Sequence, residues 1–167
     1  MHAHIRVITV LTALAVASPM ASAEQPGFCA KLHVQTEAAK VGFRTIRGEF
    51  RAGRTASGLL VTRTYSSVEL FADTPCYFSV ESGDMLHSCE TGFDQDDAAA
   101  RARRDVLVGQ MRACLASELK GAPVLTDAAV HAATLPLTGN RALIVAVNAA
   151  EADGTDGRIL ISVRAPN

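Results

Sequence analysis

The chain has 167 residues, of which 49% are hydrophobic and 20% are charged, and its formal net charge is −1. This is the composition of an ordinary globular protein of about one domain, so it excludes collagen-like, coiled-coil and disordered chains. Because basic and acidic residues nearly balance, the sequence indicates neither a nucleic-acid partner nor a dedicated binder of anionic membranes.

The N-terminal residues have the three parts of a secretory signal peptide. Arg6 supplies the positive charge, Val7 to Ala17 form an apolar segment, and Ala21-Ser22-Ala23 is a small-residue cleavage site. The apolar segment is shorter than the ~20 residues of a membrane-spanning helix, and no comparable run follows it. We therefore predict that residues 1–23 are removed and that residues 24–167 form one periplasmic or secreted domain without a membrane span.

The first half of the mature chain predicts one helix followed by strands. Apolar residues recur at helical spacing from Phe28 to Ile46, and residues 47–55 have the polar, glycine-containing composition of a loop. Residues 59–61 and 66–71 are rich in β-branched, aromatic and apolar side chains, which predicts one long or two short strands.

A hairpin and a second helix follow. Residues 76–81 and 84–90 predict two strands joined by a tight turn at Ser82-Gly83. Residues 94–120 predict a helix that begins at acidic residues and ends before Gly121. Three more strands are predicted at 129–137, 141–148 and 158–163.

The order of these elements predicts an α+β fold of the form α-β-β-β-α-β-β(-β). Two antiparallel helices would cover one face of an antiparallel sheet of about five or six strands.

The four cysteines are Cys29, Cys76, Cys89 and Cys114, and in an exported chain they favour two disulfides. A two-residue turn sets Cys76 opposite Cys89, at a non-hydrogen-bonded position where side chains are closest. Cys114 lies about 30 Å along the second helix, out of reach of Cys89 just before that helix. We therefore predict Cys76–Cys89 and Cys29–Cys114. The spacing lacks the close pair of a zinc site and the Cys-x-x-Cys of a redox catalyst, so no metal or cofactor is predicted.

Charge is segregated along the chain. Residues 40–63 contain six basic side chains and one acidic one, whereas residues 64–100 contain eight acidic side chains and no Lys or Arg. Such opposite surfaces can steer a partner, although the basic segment folding over the acidic hairpin would fit equally well. The predicted interaction surface consists of Arg44, Arg47, Arg51 and Arg54.

Several of these features together resemble a group of small exported proteobacterial proteins to which no activity is assigned. The shared features are Cys29 in a first helix, the segment from Phe43 to Gly48 at its end, Cys76 and Cys89 on a hairpin, and Cys114-Leu115 late in a second helix. The resemblance implies an exported, disulfide-bonded protein and supplies no catalytic residues.

The sequence favours a non-enzymatic binding module that recognises a protein or a component of the cell envelope. One alternative is a small periplasmic enzyme whose site assembles around His87 and nearby acids. Another is an inhibitor or immunity protein, which is a special case of binding.

Overall fold

The computed structural model describes residues 27–54, 60–72, 74–91, 97–119, 121–128, 131–148 and 158–165. The predicted signal peptide, residues 1–23, lies outside the described residues, as does the predicted start of the second helix at residue 94. Among the described residues, no helix combines the length and the apolar character needed to cross a bilayer.

The described chain forms one antiparallel sheet made of two four-stranded meanders. The first meander contains β1 (Arg47–Arg54), β2 (Leu60–Ser66), β3 (Cys76–Glu81) and β4 (Asp84–Thr91). The second contains β5 (Leu125–Asp127), β6 (Ala132–Pro136), β7 (Ala142–Asn148) and β8 (Arg158–Ala165). Their spatial order is β1-β2-β3-β4-β8-β7-β6-β5, so the two meanders join where β4 pairs with β8.

The join between β4 and β8 is at the centre of the sheet. The two strands pair continuously from Met85 opposite Ala165 to Thr91 opposite Ile159. Near the middle, the hydroxyl oxygens of Ser88 and Ser162 lie 2.8 Å apart and share a hydrogen bond. Each meander follows a helix, so the order of elements in the first half is repeated in the second.

One described helix precedes the first meander, and two precede the second. The helix α1 (Phe28–Ala39) comes before β1, whereas α2 (Asp97–Cys114) and α3 (Ala116–Leu119) come before β5. The predicted first helix continued to Ile46, but Gly42 and Phe43 adopt φ values of 63° and 59°, which turn the backbone out of the helix. Phe43 and Ile46 are nevertheless buried. Their apolar spacing therefore marks core positions, but in a turn rather than in a helix.

The two long helices pack on one face of the sheet, with α1 against β8 and α2 against β7 and β8. On that face β8 presents Ile159, Ile161 and Val163, each 0 or 1% exposed. Leu107 and Met111 of α2 are equally buried in the same core cluster. Burying such side chains contributes about 1.5–3 kcal/mol each, so this half of the sheet is the main source of stability.

Arg141 holds α1 in place at the start of β7. Its guanidinium is 5% exposed and donates hydrogen bonds to the Thr36 carbonyl at 2.7 Å and to the Thr138 carbonyl at 2.8 Å. Glu118 of α3 lies 3.8 Å from the same guanidinium. A buried cation is tolerated here because backbone oxygens and a carboxylate surround it.

The predicted fold class is wrong. The sheet has eight strands rather than five or six in the described chain, and each of the two halves contributes four. The strand β1 was missed because residues 47–55 are rich in charged residues and glycine. An edge strand tolerates this composition, but in a sequence it predicts a loop. The strand β5 was missed because it has only three residues, all of them exposed.

Both disulfides are present with the predicted pairing. Cys76 and Cys89 are directly opposite in the β3–β4 hairpin, with Cα atoms 4.3 Å apart. This matches the close spacing of a non-hydrogen-bonded pair. Cys29, near the start of α1, is joined to Cys114 at the end of α2. The hairpin turn is also as predicted, because Ser82 and Gly83 both have positive φ, as a two-residue turn requires.

Candidate binding site: a cleft between β2 and β3

Strands β2 and β3 separate over half of their length. They pair only at Thr64 with Phe78 and at Tyr65 with Tyr77, whereas β1 stays paired with β2 as far as Leu60 and β4 stays paired with β3 as far as Glu81. A cavity of 600 Å³ lies at this separation, with Thr62 and Arg63 on one side and Ser79 and Val80 on the other. We call it the β2–β3 cleft. Its volume is within the range of about 300–1,000 Å³ found for small-ligand sites.

The floor of the cleft is apolar, and in the described chain the main contacts of the helices are with β7 and β8 rather than with β2 and β3. By strand alternation, Thr62, Phe78, Val80 and Met85 project to the face on which the helices lie, and all four line the cavity. Val80 is 65% exposed, and Phe50, which is opposite Thr64 on β1, is 68% exposed. Val80 lines the cavity, and Phe50 adjoins it through its neighbour Thr64, which is a lining residue, so the exposed apolar surface is continuous with the cleft and indicates a binding surface.

The walls of the cleft carry unpaired backbone groups. In an antiparallel strand, alternate residues direct their N–H and C=O groups to opposite neighbours. Residues 60–63 of β2 therefore direct half of these groups to β1 and half to the cleft, where β3 is not paired with them. Residues 79–81 of β3 do the same from the other side. These groups can form hydrogen bonds with an extended ligand.

Arg47 provides a cation at the cleft. Its exposed guanidinium donates a hydrogen bond to the Met85 sulfur at 3.1 Å and a longer one to the Gly42 carbonyl at 3.4 Å. No carboxylate of the described chain pairs with it. Both bonds come from Nη2, so the Nε and Nη1 groups are available to an anion, each through a single charge-assisted hydrogen bond.

Gly48 places Arg47 beside the cleft. The register of β1 against β2 shifts between Arg47 and Phe50, which indicates a β-bulge. A Cβ atom at Gly48 would lie 3.0 Å from the Tyr65 carbonyl oxygen, so the close approach of the two backbones depends on glycine here.

Of the three predicted surface arginines whose side chains the structure describes, Arg47 lines the cleft and Arg44 and Arg51 do not. The Nε atom of Arg44 donates to the Val41 carbonyl at 3.1 Å in the turn after α1. Arg51 pairs with Glu49 at 3.1 Å and stacks over the Tyr65 ring. Arg54 belongs to β1, but its side chain is outside the described part of the structure.

The opposite face of β2 and β3 carries polar groups that satisfy one another. The Arg63 guanidinium lies 4.4 Å from the centre of the Tyr77 ring, and the Tyr77 hydroxyl donates to Glu90 at 2.9 Å. Burial, together with the hydrogen bond to Glu90, raises the pKa of Tyr77 to about 12. Although Arg63 lines the cleft, its charge is therefore engaged on the other face of the sheet.

His87, around which the enzyme alternative placed its site, is buried in apolar surroundings. It is 0% exposed, and its ring lies 5.0 Å from the Phe78 ring and 5.7 Å from the Phe43 ring. Neither ring nitrogen has a hydrogen-bond partner in the described structure. Burial in these apolar surroundings lowers the pKa of His87 to about 4, so the imidazole is neutral at pH 7.

The ligand atoms of Cys76, His87 and Cys89 all lie within 4.8 Å of one another. Both sulfurs belong to a disulfide, however, so neither is a thiolate that can bind a metal. Gln35 is also buried here, and its amide donates a weak hydrogen bond to the Cys89 sulfur at 3.6 Å. In this oxidised form the cluster is part of the core.

Sequence reasoning identified Arg47 but missed the apolar floor of the cleft. Phe78 and Val80 were predicted only as strand residues, and Phe50 was assigned to a loop. One usable signal was present, because Phe50 is the single large apolar residue in a highly charged segment and so had no local partner. The early separation of β2 from β3 left no signal in either strand.

Comparisons with protein-family models, curated proteins and solved structures find no match to this chain.

Proposed function

We propose that this protein is an exported binding module that holds its ligand in the β2–β3 cleft. The observation that carries the proposal is the opening between β2 and β3, with an apolar floor, backbone groups on both walls that do not pair across it, and an arginine that faces no carboxylate of the described chain.

The two disulfides support the exported location. Disulfides of this kind persist in oxidising compartments such as the periplasm and are rare in the cytosol. The N-terminal sequence from Arg6 to Ala23 supports the same location. We propose that the protein acts in the periplasm or outside the cell after cleavage behind Ala23, and that its partner is a protein or an envelope component.

Binding in the cleft can be tested with Nile red, a neutral probe whose fluorescence increases in apolar surroundings. We expect the protein to bind the dye, and Val80→Ser and Phe50→Ser to weaken binding by about tenfold when combined, since Val80 lines the cleft and Phe50 adjoins it beside Thr64. Val106→Ser is the matched control, because Val106 is 48% exposed but lies on α2. Unchanged binding by the double variant, or equal loss with the control, would contradict the cleft as the site.

The exported location has its own test. The natural host should be fractionated without reducing agent, and the protein identified by mass spectrometry. We expect a mature chain that begins at Glu24 and contains both disulfides. Intact precursor in the cytosol with four reduced thiols would overturn the location.

A further inference from the structure

We infer that the β2–β3 cleft binds the extended, apolar C-terminal segment of a partner protein, an inference that rests on the proposed function. Three features of the cleft correspond to three features of such a segment. The free backbone groups on the walls match a peptide backbone, the apolar floor matches its side chains, and Arg47 matches its terminal carboxylate.

The backbone groups favour a peptide over other apolar ligands. Adding a strand to free strand edges is a common mode of peptide recognition, in which main-chain hydrogen bonds give affinity and side-chain pockets give specificity. A hydrocarbon chain would fill the floor but would leave the N–H and C=O groups of the walls without partners. Leaving such groups buried and unpaired costs about 1–3 kcal/mol each.

The length of the unpaired edges sets the length of the bound segment. On β2 the unpaired residues are 60–63, and on β3 they are 79–81. An inserted strand can therefore pair over about three to four residues, since each residue advances about 3.3 Å along both neighbours. In an extended chain, the last residue and the third from last project to the same face. Both should be apolar, because that face meets Phe78 and Val80.

The charge beside the cleft indicates a single carboxylate. Among the described residues that line the cleft, Arg47 is the arginine whose guanidinium faces neither a carboxylate nor a ring, because that of Arg63 lies over the Tyr77 ring. Its Nε or Nη1 group can donate a charge-assisted hydrogen bond, and its single positive charge matches the single negative charge of a carboxylate.

The test uses a pair of peptides that differ only at the C-terminus: acetyl-Thr-Val-Thr-Val as the free acid and the same peptide as the amide. Isothermal titration calorimetry should show that the acid binds about ten- to a hundredfold more tightly, because the amide removes a charge-assisted pair. Sodium dodecanoate, which has a carboxylate and a hydrocarbon chain but no peptide groups, is the third ligand and should bind more weakly than the acid.

Two variants assign the effect to the cleft. Arg47→Gln should weaken binding of the acid to the level of the amide and leave the amide unchanged. Arg44→Gln is the matched control, since Arg44 is an exposed arginine of the same segment that does not line the cleft. It should keep the full preference for the acid.

The results separate this inference from the proposed function. Equal affinity for acid and amide, or tighter binding of dodecanoate, would contradict recognition of a peptide C-terminus. Nile red binding would in that case still support the cleft as a binding site. If Nile red does not bind to the cleft, both the proposed function and this inference are contradicted. A preference for the acid that survives Arg47→Gln would show that the carboxylate binds elsewhere.

Discussion

The strands β4, β8 and β7 differ from the outer strands β1 to β3 both in how they pair and in how they are covered, and we call these parts the covered half and the open half of the sheet. From β4 through β8 to β7 the pairing is continuous, and the face below α1 and α2 consists of fully buried apolar side chains. From β1 to β3 the pairing is interrupted, and Phe50 and Val80 are more than half exposed. The covered half therefore accounts for stability, whereas the open half keeps apolar and polar groups available for a ligand.

This difference has a physical cause. The two helices are tied together by the Cys29–Cys114 disulfide and held by Arg141 at the start of β7, so they stay over β7 and β8. Neither helix contacts β1 or β2 to any comparable extent in the described chain. The open half depends instead on its own strand pairing and on the Cys76–Cys89 disulfide.

Removing the disulfides should have the largest effect on stability. Replacing Cys29 and Cys114 by Ser removes a link between residues 85 apart in the sequence, whereas Cys76 and Cys89 are 13 apart. The loop-closure model gives costs of about 4–5 and about 3 kcal/mol. Urea unfolding of the two double variants measures both values. A larger cost for the Cys76–Cys89 pair would contradict loop closure as the main source of the stabilisation by these disulfides.

Truncating an apolar side chain should cost more stability in the covered half of the sheet than in the open half. Ile161→Ala in the covered half should cost about 2–5 kcal/mol, because the 1% exposed side chain leaves a cavity below the helices. The corresponding change in the open half, Val80→Ala, should cost less than about 0.5 kcal/mol. The free energies of unfolding from urea titration test the contrast, which similar values for the two variants would refute.

Lowering the pH should destabilise the protein through His87. Its pKa is lowered from 6.5 to about 4 by burial, so the unfolded chain takes up a proton at a higher pH than the folded protein does. Stability is therefore full above pH 6.5 and falls as the pH decreases toward about 4, by about 3 kcal/mol in total.

The variant His87→Leu should remove this part of the pH dependence. Urea unfolding at pH 7 and at pH 4.5 gives the required difference for the variant and the natural protein. An equal loss in His87→Leu would assign the effect to other groups.

Two glycine substitutions should have small effects of opposite sign. Gly48→Ala should destabilise by about 1 kcal/mol, because the new methyl group meets the Tyr65 carbonyl at 3.0 Å. Gly109→Ala should stabilise by about 1 kcal/mol, because Gly109 lies inside α2 with no heavy atom near its side-chain position. Thermal unfolding should show a lower midpoint temperature for Gly48→Ala and a higher one for Gly109→Ala. Stabilisation by Gly48→Ala would contradict the close β1–β2 contact.

The sequence predicts the features that depend on local spacing. The β3–β4 hairpin and its disulfide follow from a two-residue turn and the count of residues on either side of it. The second disulfide follows from the length of the helix and the reach of the chain. Both arguments use fixed covalent dimensions, which do not depend on tertiary context.

Features that depend on contacts between distant segments could not be predicted in the same way. The edge strand β1 forms because β2 pairs with it, although its own residues have the composition of a loop. The turn after α1 keeps Phe43 in the core at positive φ, which tertiary packing imposes against local preference. The cleft depends on where two strands stop pairing, and no residue pattern in either strand marks that point.

Amide hydrogen exchange of the free protein, followed by NMR residue by residue, tests the open sheet most directly. We predict low protection for the amides directed into the cleft from residues 60–63 and 79–81, because they exchange through small local fluctuations. Amides between β4 and β8 should exchange only through global unfolding. Uniformly high protection across β2 and β3 would show that these strands are fully paired and that the cleft does not exist.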